Sequence, residues 1–174
     1  MTATTATVPA GATDAFDFDA LYREARDDVF AYAATLLRDR GAAEDVTALA
    51  FERAYRRRSS RYDARRGSPR AWLFGIARNA ALDELRRRKR AADAEIPAPA
   101  QPPGPDEAVE LAAQRDAVRA ALSKLPAKDR ELIALKFHAD LSHAEIAEIL
   151  GISPTNAGTL LHRAMTKLRE AVDA

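Results

Sequence analysis

From Phe18 onward, hydrophobic positions recur at steps of three and four residues. Leu21, Tyr22, Ala25, Val29, Phe30, Ala33, Leu36 and Leu37 form one apolar stripe, and that period predicts an amphipathic helix ending near Gly41. A second helix is predicted over 42–57, with Val46, Leu49, Ala50 and Tyr55 turned inward. Residues 59–69, SSRYDARRGSP, lose the period and read as a loop. A third helix opens after Ser68, with Pro69 in its first turn, and runs to about Arg90. Trp72, Leu73, Ile76, Ala77, Ala80 and Leu85 can face a core, whereas Arg78, Asn79, Asp83, Arg86 and Arg87 cannot all be buried. Residues 91–106 contain five prolines and one glycine, so they form no helix and behave as a semi-extended linker. Beyond them the period returns over 107–122, through Val109, Leu111, Ala112, Val118 and Leu122. It continues over 127–138, through Leu132, Ile133, Leu135 and Phe137.

The stretch 141–170, LSHAEIAEILGISPTNAGTLLHRAMTKLRE, carries the most punctuation. Ser142 and Glu145 make a capping box, and Ile146, Ala147, Ile149 and Leu150 give the helix an apolar face. Gly151 suits a left-handed C-terminal cap, with Ile152 following to pack back on the helix. Ser153 then offers a second N-cap and Pro154 fills the first helical position. Ala157, Leu161, Ala164, Met165 and Leu168 form the stripe of the second helix, leaving Thr155, Asn156, Thr159, His162 and Arg163 outside or flanking it. This is the pattern of a helix-turn-helix, whose second helix starts in a major groove and whose basic end meets phosphates. Thr155, Asn156 and Thr159 are the candidate base readers. The bland alternative is a helical hairpin in which Gly151 only ends a helix.

Composition narrows the classes. A length of 174 residues with 47% hydrophobic content accommodates two small all-α domains. Absence of cysteine excludes disulfides, thiolate zinc sites and thiol catalysis, and no apolar run spans a membrane. A soluble cytoplasmic protein without membrane insertion, metal or cofactor is expected. The net charge of +1 conceals a sorted chain. Basic and acidic residues number 4 and 8 over 17–50, 14 and 4 over 52–90, and 0 and 5 over 91–111. The middle block, at a net +10, is the footprint of a polyanion contact or of a solvated basic face. Within it, Tyr62 lies beside Arg61, Arg65, Arg66 and Arg70, which suits a single-stranded base stacked while its phosphates are neutralised. Tyr62 could equally pin the loop to the core.

At this point the residues carry a resemblance. RAWLFGIARNAALDELRRRKR at 70–90, followed by LPAKDRELIALKFHADLSHAEIAEILGIS and LHRAMTKLRE, resembles the extracytoplasmic-function sigma factors of bacterial RNA polymerase. Residues 1–15 are Thr- and Ala-rich with no apolar period and read as a disordered tail, and the resemblance implies a region 2 domain over 16–90. It further implies a linker over 91–106 and a region 4 domain over 107–174. It implies docking on core RNA polymerase through Glu44, Asp45, Ala48, Leu49 and Glu52. The melted minus-ten strand of promoter DNA would be held by Arg61, Tyr62, Arg65, Arg66, Arg70, Asn79, Asp83, Arg86 and Arg87. Duplex DNA at the minus-thirty-five element would be read by Ser153, Thr155, Asn156, Thr159, His162 and Arg163. Control by an anti-sigma factor is a further implication. Departures from the family pattern are Ala48 and Leu49, where a Gln and an acidic residue are common, and Gly158 and Leu160, where cations are common.

Two other classes compete. A free-standing helix-turn-helix regulator would bind duplex DNA without polymerase, but leaves the Trp72 helix and the loop before it unexplained. An enzyme would rest on His138, His143 and His162, which make no HExxH motif and have no acidic triad partner. No catalytic residue is therefore expected.

Overall fold

The computed structural model describes residues 15–94 and 109–174. All but the last residue of the tail expected over 1–15, and most of the expected linker, 95–106, lie outside them. The described residues are all-α, with seven helices. Three belong to the first module: α1 (Phe18–Leu37), α2 (Arg40–Arg57) and α3 (Pro69–Asp93). Four belong to the second: α4 (Val109–Lys124), α5 (Ala127–Phe137), α6 (His143–Leu150) and α7 (Pro154–Asp173).

Helix starts follow local chemistry. Asp17, Asp39, Ser68, Ser142 and Ser153 each accept a backbone N–H of the first turn through the side chain, satisfying donors with no intrahelical partner. The corner between α1 and α2 differs from expectation. α1 stops at Leu37, because Arg38 takes a left-handed conformation (φ 54°) and its N–H bonds the Ala34 carbonyl. Asp39 then caps α2, so Gly41 lies inside the second helix rather than ending the first. Arg88 of α3 secures this corner: it donates to the Leu37 carbonyl (2.8 Å) and pairs with Asp39 (3.3 Å) and Glu84 (3.1 Å). α3 runs to Asp93, past the expected Arg90, so residues 91–93 are helical and not linker.

The interior is built largely from small residues. Ala25, Val29 and Tyr32 of α1, Ala50 and Ala54 of α2, and Leu73, Phe74 and Ala77 of α3 are buried in the first module. Alanines at these crossings let the helix backbones approach closely, while Tyr32 and Phe74 fill the centre edge to face, with centroids 5.6 Å apart. In the second module Leu125, Ile133 and Ala164 form a small cluster with Leu122, Met165 and Leu168. The larger cluster does not stop at the module boundary: Leu132, Leu135, Leu141 and Ile146 join it to the residues of α1 and α3. The two modules are packed together, α5 on α1 and α6 on α3.

Several positions assigned inward by their period are exposed. Tyr55 (52%), Tyr22 (41%), Val118 (44%) and Phe137 (60%) all keep large solvent-facing areas. Tyr22 and Tyr55 lie at the rim of an aromatic group with Phe18 and Phe51, in which only Phe51 is buried. Arg58 sits 3.8 Å from the Tyr55 ring centroid. An amphipathic ring needs only one covered face, so helical period places it at the edge of a core without deciding its depth. Leu73→Ala is expected to lower stability by about 2–5 kcal/mol and Tyr55→Ala by less than about 1 kcal/mol. Thermal unfolding of both variants followed by circular dichroism checks the ordering.

Candidate nucleic-acid interface

The loop between α2 and α3 is fixed by aromatic packing. Tyr62 meets Phe16 at 5.0 Å and Trp72 at 5.6 Å between centroids, both edge to face, and its hydroxyl donates to the Gly67 carbonyl at 3.2 Å. Tyr62 thus pins the loop while remaining half-buried. Gly67 turns the chain with φ 152°, a conformation open almost only to glycine. Asp63 ties off the loop's outer side by accepting from the Arg65 backbone and guanidinium, and Arg65 holds its carboxyl below the usual range.

Along the loop and α3 the expected strand-binding residues divide into two consecutive stretches. Arg61, Arg66 and Asn79, with Trp72, line a cleft of about 600 Å³ whose far wall is Glu145, Glu148 and Ile149 of α6. Asp83 and Arg87 instead line a shallow groove with Asp45, Val46 and Leu49. Arg86 pairs with Asp83 (3.2 Å) and Arg87 with Glu84 (2.8 Å), so part of the basic run is balanced within its own helix. Arg70, expected at the strand, is engaged between the modules. It donates to Asp28 at 2.6 Å, to the His138 carbonyl at 3.1 Å and to the Ala139 carbonyl.

On α2, Glu44, Asp45, Ala48 and Glu52 are exposed and Leu49 is half-buried. The spacing 45, 48, 49, 52 puts four of the five on one helical face. Ala48 and Leu49 make that face flatter and more apolar than paired polar groups would.

The second module presents α7. Ser153 caps it, accepting from the Asn156 N–H at 3.1 Å. Thr155, Asn156, Thr159, His162 and Arg163 are all exposed, while Ala157, Leu161 and Ala164 are buried. Thr159 donates to the Thr155 carbonyl at 3.1 Å, which fixes its methyl and hydroxyl orientation. Gly158 has a packing reason: a Cβ there would lie 3.2 Å from Nδ1 of His143. The imidazole at the start of α6 would have to shift by a few tenths of an ångström to admit a methyl group on α7. Leu160 is half-buried against the core, so the two positions that lack cations serve packing.

Contacts between the modules were not legible from the chain. Glu131 of α5 is buried (9%) against the first module, where it accepts from the Arg78 guanidinium and from the Tyr32 hydroxyl at 3.3 Å. Burial, reinforced by the Glu131 charge, pushes the Tyr32 hydroxyl well above its ordinary pKa. Arg66 reaches Glu148 at 2.6 Å, and the Ser68 hydroxyl donates to Glu145 at 2.7 Å. Glu145 therefore sits between two helix N-termini, accepting from Ser142 N–H of its own capping box and from the residue that caps α3. Partial burial pushes its carboxyl upward, but these bonds outweigh that and hold it below the usual range. His138 faces Thr35 (3.3 Å), and burial lowers its pKa against the opposing pull of Asp28.

The described residues are helical, with an exposed polar helix face in one module and an arginine-lined loop and helix in the other, an arrangement that suits contact with a nucleic acid. Comparison with known proteins identifies the family. Sigma-70 region 2 matches residues 21–91 and Sigma-70, region 4 matches residues 115–168. The chain is 31% identical over 156 residues to the ECF RNA polymerase sigma factor SigM of Bacillus subtilis, covering 87% of this chain and 92% of that protein. It is 34% identical over 163 residues to SigL of Mycobacterium tuberculosis, covering 92% and 91%. Among solved structures, the sigma factor RpoE in complex with the anti-sigma factor NepR from Bartonella quintana matches with a TM-score of 0.74 at 23% identity, over 91% of this chain and 98% of that one. CnrH in complex with the cytosolic domain of CnrY matches with a TM-score of 0.63 at 26% identity, over 90% and 87%. The chain belongs to the extracytoplasmic-function RNA polymerase sigma factors. It is a promoter-specificity subunit, and its partners are core RNA polymerase and promoter DNA.

Replacing Gly158 tests the helix-turn-helix packing. Alanine is favoured over glycine in a helix by about 1 kcal/mol, but the His143 ring opposes it. Gly158→Ala is expected to stabilise the His143→Ala chain by close to that amount and the wild type by clearly less. Urea unfolding of the four chains gives the coupling directly; equal effects in both backgrounds would show that the ring yields freely.

Proposed function

We propose that the two modules divide promoter recognition between them and that the observation carrying this is the separation of two unlike DNA-facing surfaces. Residues 16–90 act as the region 2 domain. Their half-buried aromatic pair Tyr62 and Trp72, set among Arg61, Arg66 and Asn79, suits an unpaired base, because stacking and phosphate neutralisation offset part of the cost of unstacking it. Arg65, Arg70, Asp83, Arg86 and Arg87 extend this surface in the minus-ten complex once their present partners are released. Residues 107–174 act as the region 4 domain, with Ser153, Thr155, Asn156, Thr159, His162 and Arg163 on a rigid helix that fits a major groove at the minus-thirty-five element.

The α2 face of Glu44, Asp45, Ala48, Leu49 and Glu52 is the polymerase-docking surface, continued by the groove that Asp45 and Leu49 share with α3. As a sigma subunit the chain is proposed to act in the cytoplasm with the polymerase, which supplies the catalysis. Among the described residues no helix is long and apolar enough to cross a membrane. One structural relative was solved in complex with an anti-sigma factor, and an anti-sigma factor is proposed to hold this chain inactive.

Transcription in vitro with bacterial core polymerase on a library of supercoiled genomic fragments tests the reading. New start sites sharing two spaced upstream motifs are the expected outcome. Starts preceded by no shared motif would sink it. Asn156→Ala is expected to relax discrimination at one upstream base pair by about 1–3 kcal/mol while leaving core binding unchanged. Start-site mapping with the variant, alongside co-purification with core, reads both effects.

A further inference from the structure

The contact between the modules falls on the surface assigned above to the melted strand. Glu145 and Glu148 of α6 form one wall of the cleft whose other wall holds Arg61, Arg66 and Asn79. Glu148 accepts from Arg66 at 2.8 and 2.6 Å, and Glu145 takes the Ser68 hydroxyl at the start of α3. These are the interactions a backbone phosphate would make: a guanidinium contact and a hydrogen bond at a helix N-terminus. Arg66 is 75% exposed and Glu148 48% exposed in their side chains, so this pair fills the cleft without holding the modules together. Holding falls to more buried groups. Arg78 and Glu131, with Tyr32 behind them, lie on one side, and Arg70 bridges Asp28 and the end of α5 on another. Arg78 itself lines the cleft.

We propose that α6 acts as an intramolecular mimic of the promoter strand, so that the closed chain described here excludes the strand, and that the Arg78–Glu131–Tyr32 cluster is the latch that keeps it closed. Opening the latch frees the cleft and returns Arg78 to it as an additional cation. The proposal rests on the assignment of the cleft to single-stranded DNA, and the test separates the two.

Since the chain has no cysteine, Arg23→Cys on α1 and Arg169→Cys on α7 accept a fluorophore pair that reports the distance between the modules in the full chain. A short single-stranded DNA of random sequence is the probe. Saturating strand is expected to lengthen the label separation; a strand bound at unchanged separation overturns the proposal. Glu131→Gln alone is expected to lengthen the separation without DNA and to tighten strand binding by roughly threefold or more. Glu145→Gln/Glu148→Gln is expected to tighten it similarly. Both are compared with Asp116→Asn/Glu170→Gln, which removes equal or greater negative charge away from the cleft and corrects for nonspecific attraction. Gains no larger than that control overturn the mimicry. If Glu131→Gln lengthens the separation but Arg61→Ala and Asn79→Ala in that background leave strand affinity unchanged, the competition is overturned through the cleft assignment, while the labels still report the latch.

Discussion

One buried carboxylate sets the arrangement of the whole chain. Glu131 projects from α5 into the first module and is held there by a guanidinium from α3 and a hydroxyl from α1. A charge taken out of water is tolerated only where partners replace its hydration, and neither module alone supplies both the acid and its donors. Removing one member of a buried ion pair typically costs about 3–5 kcal/mol, because the partner is left uncompensated. The orientation of α5 against α1 and α3 is therefore specified by polar matching. The surrounding apolar contacts of Leu132, Leu135 and Leu141 add area but little direction.

From that fixed point the rest of the contact follows. With α5 seated, its C-terminal end delivers the His138 and Ala139 carbonyls to Arg70, a cation where a helix end presents unpaired acceptors. The short connection to α6 then brings Ser142 and Glu145 against Ser68. The capping box of α6 and the N-cap serine of α3, from different modules, converge on one carboxylate. A residue chosen for local helix initiation thereby becomes an interdomain contact, which couples folding of the helix-turn-helix to its docking.

How far the sequence disclosed this depends on the range of the interaction. Ser142, Glu145, Gly151, Ser153 and Pro154 act on neighbours within four residues, so the boundaries of α6 and α7 and the exposed set on α7 could be read directly. Asp39 was also local, yet Gly41 looked the stronger terminator; an αL residue does not have to be glycine, and Arg38 pays that cost with Arg88 covering the corner. Tyr22, Tyr55, Val118 and Phe137 were misplaced because period fixes a face, and depth depends on what lies opposite. The arginines were the least legible group. Arg61 and Arg66 in the loop, Arg70 and Arg78 between the modules, and Arg88 at the α1–α2 corner are indistinguishable as letters. Only the positions of Asp28, Glu131, Glu148 and Asp39 in space sort them.

That sorting bears on what the net +10 of residues 52–90 means. Read as a sum, it is a long-range attraction for polyanions. Read residue by residue, Arg66, Arg70, Arg78, Arg86, Arg87 and Arg88 already have carboxylate partners, and the partners differ in kind. Asp83, Glu84 and Asp39 lie in the same module and remain with their arginines whatever the second module does. Glu131 and Glu148 lie in the other module. Any rearrangement that separates the modules removes the charges facing Arg66 and Arg78 and leaves those facing Arg87 and Arg88 in place. The field that a nucleic acid meets is thus a property of the arrangement of the modules as much as of their composition, and it grows at the cleft where Trp72, Arg61 and Asn79 converge.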